Sequence, residues 1–515
     1  MSDDRTAPAP SNRIDPDDLA VTLRVLATLN RVSEEDPDFV AVRNATARMI
    51  KEVKRTRRSD RRAAITEADR AVVAATATGA ADRIDDETRG LTLTASAAAP
   101  IAGTFVKARP CYICKRKYIT VDAFYHQLCP ECAALGHAKR EASADLTGKR
   151  ALLTGGRAKI GMHIALRLLR DGAHTTITTR FPRDAVRRFA AMDDAGRWLH
   201  RLRVVGIDLR DPAQVVALAD SVGADGPLDI LINNAAQTVR RSPGAYSPLA
   251  DAESVPLETG LWATGRGPEL LTLGRTSDRH PHALEEAVIA HPLLASAHTA
   301  EVGARGSTAH TAAINARRLT DLALAPGSSS LARLTDGTAI DAGGLVPDLH
   351  DTNSWVQAVG DIDALELLEV QLCNSTAPFI LINRLRPQLA TAARAASSGH
   401  AYVVNVSAME GVFGRGYKGP GHPHTNMAKA AVNMLTRTSA REMFETDGIL
   451  MTSVDTGWIT DERPHPTKVR LAEEGFHAPL DLVDGAARVY DPVVRGEAGE
   501  HLFGVFLKDY KPSAW

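Results

Sequence analysis

The chain has 515 residues, which is room for two or three domains, because a single hydrophobic core stops growing near about 250–300 residues. Apolar residues make up 44% of it and charged residues 24%, as in ordinary soluble globular proteins. The 61 Lys and Arg side chains nearly balance the 62 Asp and Glu side chains, so net charge gives no argument for a nucleic-acid or membrane partner. The acidic stretch at residues 1–10 is unlike a secretory signal, and no apolar run reaches the roughly 18–20 residues that span a bilayer. We therefore expect a cytoplasmic protein.

The N-terminal region is predicted to be mostly helical. Residues 1–18 are rich in Pro, Asp and Ala, a composition typical of a disordered tail. Apolar residues such as Leu19, Leu23 and Leu26 then recur at helical spacing, which predicts a helical region and linker over residues 19–107, the linker being the Ala/Thr-rich part at 83–107. The basic run at 51–62 is broken by acidic residues, so we interpret it as a solvated helix face rather than a nucleic-acid site.

Four of the five cysteines form two C-x-x-C pairs, Cys111 with Cys114 and Cys129 with Cys132. Two such pairs can bring four thiolates to one tetrahedral Zn²⁺, and this suits a reducing compartment better than a disulfide framework does. The pattern predicts a structural zinc module over residues 108–140, with no open coordination position. Two histidines remain as alternative ligands in place of one cysteine: His126 and His137. What the module binds stays open, a protein partner being one alternative.

The rest of the chain alternates strand, loop and helix over 148–236 and again from 365 to 515. That alternation is typical of a parallel sheet covered by helices, so we predict a Rossmann-type, doubly wound α/β domain over residues 146–515. Residues 237–363 break the rhythm with clusters of Pro, Gly and Ser and are predicted to be an insertion. Its position after the fourth strand would place it over the mouth of a site at the carboxyl ends of the strands.

A glycine-rich turn opens this domain. The buried strand at 150–154 runs into the turn at 155–161, and a helix follows it. Backbone N–H groups and the helix dipole at such a turn can meet a pyrophosphate. Three further strands follow in order: the second ends in Arg180, the third carries Asp208 at its end, and the fourth ends in the paired asparagines at 233–236.

Together these motifs resemble the short-chain dehydrogenase/reductase family over residues 146–236 and 364–515. The family's turn, T-G-x-x-x-G-x-G, matches residues 154–161, except that Lys159 stands where the family has its middle glycine. That lysine either points outward or supplies a charge to the phosphate. The resemblance implies a dinucleotide site, and the residues expected to bind the cofactor are Thr154, Gly155, Arg157, Lys159, Ile160, Gly161, Arg180, Asp208, Leu209, Asn234, Ala235, Lys429 and Thr460.

The residue after the second strand bears on the choice of cofactor. An acid there usually holds a 2′-hydroxyl, whereas a 2′-phosphate favours a cation. Here Arg180 is present and no acid occurs before Asp184, so NADP is favoured and NAD is the alternative. Arg157 in the glycine loop favours NADP as well, unless both arginines are only solvated surface charges.

The resemblance also implies a catalytic set of Asn, Ser, Tyr and Lys, but the tyrosine position is Thr425. A threonine hydroxyl has too high a pKa to ionise, and it can only donate or relay a hydrogen bond. A histidine titrates near neutrality, so His424 is the first choice of replacement proton donor. The expected catalytic residues are therefore Asn374, Ser407, Thr425, Lys429 and His424. The alternative proton donors are His422 and Tyr417.

Two functions follow from these features. The first is an NADP-dependent oxidoreductase that transfers hydride between NADP(H) and a small carbonyl, alcohol or imine-type substrate, expected to be a homo-oligomer. The second is a catalytically impaired dinucleotide-binding sensor or scaffold whose zinc module binds a protein partner. The retained Asn374, Ser407 and Lys429 favour the enzyme, and the lost tyrosine favours the sensor.

Overall fold

The computed structural model describes residues 14–80, 83, 93, 97–241, 243–258, 260–263, 265, 267–273, 344–346, 348, 350–414, 416–459 and 462–515. The chain divides into two compact units, Met1–Arg70 and Ala71–Trp515. Helix α1 spans Pro16–Thr28, and helix α2 spans Pro37–Ala74.

Helix α1 starts inside the stretch that was predicted to be a disordered tail, so that boundary is wrong. The Asp15 carboxylate accepts from the amides of Asp17 and Asp18, and Pro16 occupies the first helical position. These two features together define a helix start. Residues 1–13 lie outside the described part of the chain.

The cysteine-containing region is a small β-hairpin followed by one helix. Strand β1 (Ile101–Pro110) pairs antiparallel with β2 (Lys117–Asp122), and helix α3 spans Pro130–Glu141. The predicted linker was wrong at its end, because residues 101–107 belong to β1. Phe105 of that strand is buried, and aromatic and β-branched residues favour a strand once one face is covered.

The second unit contains a nine-stranded sheet within its described residues, in the order β11-β10-β9-β8-β6-β3-β4-β5-β7. All neighbouring strands are parallel except β10 and β11. The strands are β3 Arg150–Leu153, β4 His174–Thr179, β5 Leu202–Gly206, β6 Ile230–Asn233, β7 Glu269–Thr272, β8 Ala401–Ser407, β9 Ile449–Asp455, β10 Phe506–Lys508 and β11 Lys511–Ser513. The predicted parallel α/β sheet is confirmed.

Helices cover both faces of this sheet. On one face α4 and α13 share a core, to which Ile164 and Val489 belong, and on the other face α6 and α10 do, with Leu218 and Leu385. The helices are α4 Lys159–Arg170, α5 Pro182–Ala190, α6 Pro212–Ala224, α7 Ser247–Ser254, α8 Gly260–Ala263, α9 Ala364–Gln371, α10 Ala377–Ala395, α11 Pro423–Asp447, α12 His465–Glu473 and α13 Leu482–Glu497. A π-helical turn, Leu372–Thr376, joins α9 to α10.

The predicted insertion contributes regular structure to the domain. Strand β7 pairs in parallel with β5 and extends that edge of the sheet, although a loop was predicted there. Residues 274–343 lie outside the described residues, and so does the helical patch predicted at 311–324. The stretch Ala364–Ala395 is long and apolar enough to cross a membrane, but Leu381, Leu385 and Leu389 within it are fully buried in the sheet's helical layer. That burial is typical of a core helix.

Candidate dinucleotide site and metal centre

A cavity of about 390 Å³ lies at the carboxyl ends of the central strands. Four loops line it, and they follow β3, β4, β5 and β6. Ten residues predicted to bind the cofactor lie on its wall: Gly155, Arg157, Lys159, Ile160, Gly161, Arg180, Asp208, Leu209, Asn234 and Ala235. Ligands of open α/β sheets bind at this edge, where the strand order reverses.

Thr154 holds the glycine loop and the end of β6 together from behind the cavity wall. Its Oγ1 accepts from the amides of Asn234 and Ala235, each at 3.0 Å. The Asn234 side-chain amide in turn donates to the Thr154 and Gly155 carbonyls at 3.0 and 3.1 Å. A Cβ at Gly161 would lie 2.0 Å from the Gly155 carbonyl oxygen, so only glycine fits that position.

Lys159 adopts a glycine-like backbone at the first residue of α4. Its φ is 54°, in the left-handed region where a side chain is strained by roughly 1 kcal/mol or more. The middle position of the turn therefore keeps the conformation that suits glycine while it carries a cationic side chain at the cavity wall. Residues 159–161 form the N-terminal end of α4, where a helix attracts anions.

Arg180 lies at the exposed rim of the cavity, next to an aromatic pair that sequence analysis missed. Its guanidinium carbon lies 5.0 Å from the Tyr246 ring centroid, and Nη2 donates to the Tyr246 hydroxyl at 3.3 Å. The rings of Phe181 and Tyr246 stack with centroids 6.0 Å apart. Burial raises the pKa of Tyr246, but the charges of Arg180, Arg210 and Arg241 and the hydrogen bond from Arg180 lower it, and the net shift is downward. Tyr246 belongs to the insertion, and no sequence pattern marked it.

Arg157 lines the cavity, but its guanidinium is engaged by an acid. Nη1 donates to Asp184, which also accepts from Arg188 Nε at 2.7 Å. The first acid after β4 is therefore paired with two arginines. This pairing separates the two arginines that the sequence had grouped: Arg180 lies at the rim, and Arg157 is an internal partner of Asp184.

Asp208 belongs to a buried ionic network that sequence analysis did not foresee. Arg210 Nη2 donates to the Asp208 carboxylate at 2.6 Å, and Arg210 Nη1 donates to Glu369 Oε1 at 2.7 Å. Glu369 is completely buried, and its Oε2 accepts from the Gln237 side-chain amide at 2.8 Å. A buried carboxylate needs such partners, because an unpaired charge in the interior is very costly.

The expected catalytic residues gather around the ends of β6 and β8. The Asn374 side chain, in the π-helical turn, makes two hydrogen bonds to the Gln237 backbone, at 2.7 and 2.8 Å. Thr425 Oγ1 donates to the carbonyl of Thr238, the residue after Gln237, at 3.4 Å. Lys429 Nζ donates to the Val406 carbonyl at 2.9 Å, one residue before Ser407. The three side chains are buried, whereas Gln237 and Thr238 themselves line the cavity.

The candidate proton donors differ in their surroundings. Helix α11 begins at Pro423, so His424 lies in its first turn. The His424 ring is 1% exposed, its Nε2 lies 4.0 Å from a Glu366 oxygen, and burial lowers its pKa. Burial lowers the pKa of the Lys429 ammonium, and the pKa is about 8 although the charges of Cys373 and Glu410 act to raise it. Tyr417 is 78% exposed, and the His422 ring stacks on Trp355.

The four cysteines form one cluster. Their sulfur atoms all lie within 4.8 Å of one another, and Cys114 Sγ lies 3.6 Å from Cys129 Sγ. Thiolates bound at about 2.3 Å to a tetrahedral Zn²⁺ would lie roughly 3.8 Å apart, so the donor set fits such an ion. The two alternative ligands are engaged elsewhere: the His126 ring with Thr78 at 2.8 Å, and the His137 ring with Asp122 at 3.2 Å.

Comparison with known proteins agrees with this geometry. Residues 149–254 match the profile of the short chain dehydrogenase family. This part of the chain is similar to short chain dehydrogenases. It is the part that carries the glycine loop, β4, β5 and β6.

Related proteins cover different lengths of the chain. An uncharacterized protein of Acanthamoeba polyphaga mimivirus is 29% identical over 404 residues, which are 75% of this chain and 71% of that protein. A probable oxidoreductase of Streptomyces antibioticus is 42% identical over 94 residues, which are 18% of this chain and 30% of that protein. The chain thus spans less than a third of the Streptomyces relative.

Solved structures with low sequence identity also align with the chain. An NADPH-bound carbonyl reductase from chicken fatty liver aligns with a TM-score of 0.41 and 16% identity, over 73% of this chain and 98% of that one. A short chain dehydrogenase from Burkholderia cenocepacia in complex with NADP aligns with a TM-score of 0.40 and 18% identity, over 71% and 97%.

Residues 149–254 and the strands after them hold most of the predicted site. Ten predicted cofactor residues line the cavity, Thr154 bonds the amides of Asn234 and Ala235 beside it, and Lys429 bonds the Val406 carbonyl at the end of β8. Thr460 lies outside the described residues. Besides Tyr246, sequence analysis missed the ion pair of Arg210 and Glu369. The one indication in the sequence was an acidic residue in the mainly apolar helix α9, which precedes the turn with Asn374.

Proposed function

We propose that the protein is an NADP(H)-dependent oxidoreductase that acts on a small carbonyl, alcohol or imine-type substrate. One observation carries the proposal: a cation, Arg180, lies at the rim of a cavity whose wall is the glycine loop. A 2′-phosphate favours a cation at this position. The first acid after β4, Asp184, is bound by Arg157 and Arg188, which disfavours a role for it in holding a ribose 2′-hydroxyl.

The residues of the chain would divide the work as follows. A nicotinamide held in the cavity would supply or accept the hydride, and the residues of the chain would position it and move one proton to or from the substrate oxygen or nitrogen. Asn374 fixes the Gln237 backbone at the cavity wall, and the Thr425 hydroxyl can relay a hydrogen bond there. The Ser407 hydroxyl makes no hydrogen bond to the described part of the chain, which leaves it for a substrate oxygen.

We further propose Lys429 as the source of the proton, through Thr425. A lysine with a pKa of about 8 holds a proton at neutral pH and can release it, as general acid catalysis requires. Thr425 and Lys429 lie one turn apart on α11, on the same face. His424 stays the alternative donor, but its lowered pKa makes its ring neutral near pH 7, and its ring lies beside Glu366.

The sensor or scaffold is less well supported than the enzyme. Relatives that match part of the chain include proteins named as probable oxidoreductases and a peroxisomal 2,4-dienoyl-CoA reductase. These names support redox chemistry at the dinucleotide cavity, although each relative matches only a quarter or less of this chain. A separate protein partner for the zinc module has no support beyond the sequence.

The proposal is tested by comparing NADPH with NADH. If Arg180 holds the 2′-phosphate, NADPH should bind more tightly, and Arg180→Asp should weaken NADPH by about tenfold to a hundredfold while it changes NADH little. Fluorescence titration measures both affinities. Arg197→Asp is the matched control, because it makes the same charge change on an exposed turn away from the cavity. Equal affinities in the parent protein would contradict the role of Arg180. NADPH consumption against a panel of carbonyl compounds then tests the reaction itself.

A further inference from the structure

The four-cysteine module packs against its own chain, on the residues that follow β9. We call these the post-β9 segment: residues 456–459 and 462–484. The first contact comes from within a C-x-x-C pair, where Tyr112 lies between Cys111 and Cys114. The Tyr112 hydroxyl accepts from the Trp458 amide at 3.0 Å. The position of this ring therefore depends on the geometry of the cysteine cluster.

A second set of contacts joins the module to the other end of the segment. The Tyr125 hydroxyl donates to the Asp484 carboxylate at 2.6 Å. Arg140 pairs with Asp481 and Asp484, and its side chain is only 15% exposed. Asp481 and Asp484 also form the capping box of α13. Charges that are this well buried are costly unless their partners stay in place, so these contacts fix the segment to the module.

Apolar packing connects the cysteines with the cavity wall. Ile459 and Leu480 are buried in the same core as Cys111, Cys129 and Cys132, and Ile160 packs against that core. A Cβ at Gly485 would lie 2.3 Å from Ile459 Cδ1 and 3.1 Å from Ile160 Cδ1, so both side chains pack against Gly485 at the start of α13. Ile160 belongs to the glycine loop and lines the cavity, as Glu462 and Leu482 of the segment do.

The metal-binding residues are thus linked to the cavity through one packed core. In small cysteine modules the free energy of metal binding is the free energy of folding, because no preformed site exists without the metal. Loss of the metal should therefore release Tyr112 and the core that holds Ile459. The apparent affinity of a ligand falls in proportion to the fraction of molecules whose site is correctly formed.

We propose that the four-cysteine module acts on its own chain: with its metal bound, it holds the post-β9 segment against the glycine loop and so sets the affinity of the cavity for its dinucleotide. The proposal rests on the proposed function for the identity of that ligand. It assigns the module a positioning role and makes Tyr112 the residue that transmits it.

The first experiment removes the metal from the full chain. Elemental analysis should find about one zinc per chain, bound by Cys111, Cys114, Cys129 and Cys132. After chelation, amide exchange should become faster at Trp458 and Leu480, and the NADPH dissociation constant should rise by about tenfold or more. Restored zinc should reverse both changes. Unchanged exchange and unchanged affinity in metal-free protein would overturn the proposal.

The second experiment keeps the metal and removes one contact. Tyr112→Phe should leave the zinc content unchanged and raise the rate of exchange at the Trp458 amide by about tenfold. It should also raise the NADPH dissociation constant, as removal of the metal does. Tyr118→Phe is the matched control, because among the described residues its hydroxyl bonds the His126 carbonyl alone, inside the module, at 2.7 Å. Equal effects of the two variants would contradict the role of Tyr112. If the parent chain binds neither dinucleotide, the proposed function fails, and the exchange measurement alone decides whether the module holds the segment.

Discussion

At the scale of single residues, the surroundings of Thr425 bear on how a proton would move in the proposed reaction. The Thr425 hydroxyl donates to the Thr238 carbonyl and lies one turn from Lys429 on α11. The Lys429 ammonium is buried, and its pKa is lowered to about 8. In the proposed reaction, the lysine would release the proton and the threonine hydroxyl, which cannot ionise, would relay it.

The pH dependence of reduction tests this arrangement. Because Lys429 carries its proton below its pKa, the rate of carbonyl reduction should be constant at lower pH and fall as the pH rises through about 8. Lys429→Met should abolish the reaction, and His424→Ala should leave the shape of the profile unchanged. The measurement is turnover with NADPH between pH 6 and pH 10.

The alternative donor gives a different result. If His424→Ala lowers turnover by about 10²–10⁴ and leaves NADPH affinity unchanged, then His424 is the acid. In that case the His424 ring must leave its place beside Glu366. Thr425→Tyr should raise turnover in either case, because it restores an ionisable hydroxyl at the position that the resemblance assigns to the acid.

At the scale of elements, one buried acid joins three parts of the site. Glu369 on α9 pairs with Arg210, which follows β5, and it also accepts from Gln237, which follows β6. Gln237 is the residue whose backbone Asn374 holds from the π-helical turn. π-helical turns are often found at functional sites. The network therefore fixes the position of the π-helical turn relative to the carboxyl ends of β5 and β6.

Loss of this acid should be costly. Glu369→Gln leaves Arg210 in the interior without its second carboxylate, so the free energy of unfolding should fall by about 3 kcal/mol. Glu442→Gln is the matched control: it breaks an exposed pair with Arg386 and should cost less than about 1 kcal/mol. Urea unfolding of the two variants measures the difference. If both variants lose less than about 1 kcal/mol of unfolding free energy, the network is not needed for stability.

At the scale of the whole molecule, the buried Lys429 couples stability to pH. Its pKa in the folded chain, about 8, lies below the ordinary value near 10.5. Between these values the unfolded chain binds more protons than the folded one, so the free energy of unfolding should rise with pH in this window. The cost of burying the charge applies in full below pH 8. The expected rise from this group is roughly 2–3 kcal/mol.

Comparison with a variant isolates this contribution from other titrating groups. Lys429→Met should make the unfolding free energy larger near pH 7 and remove the rise between pH 8 and pH 10. Denaturant unfolding at several pH values measures both curves. Parallel curves for the parent and the variant would show that the folded chain does not disfavour the charged lysine.

The sequence by itself determined those features that depend on residues close together in the chain. The strand and helix order, the glycine loop at 155–161 and the paired cysteines follow from local periodicity and short motifs, and the structure confirms their placement. The sequence could place Arg180 at the end of β4 as well, because the end of a parallel strand fixes the edge of the sheet at which a residue lies. Periodicity did not locate the start of α1: the helix begins at Pro16, inside the predicted tail, because the Asp15 side chain caps it there.

Only the tertiary structure decided which distant residues meet. Tyr112 contacts the Trp458 amide from 346 positions away, and Tyr125 contacts Asp484 from 359 positions away. Likewise, Arg157 donates a hydrogen bond to Asp184, and Arg180 donates one to the hydroxyl of Tyr246 in the insertion. A side chain's periodicity predicts that it will be buried or exposed, but its partner depends on how separate elements pack. For this reason the sequence predicted a zinc module, whereas the surface against which the module packs became known only from the fold.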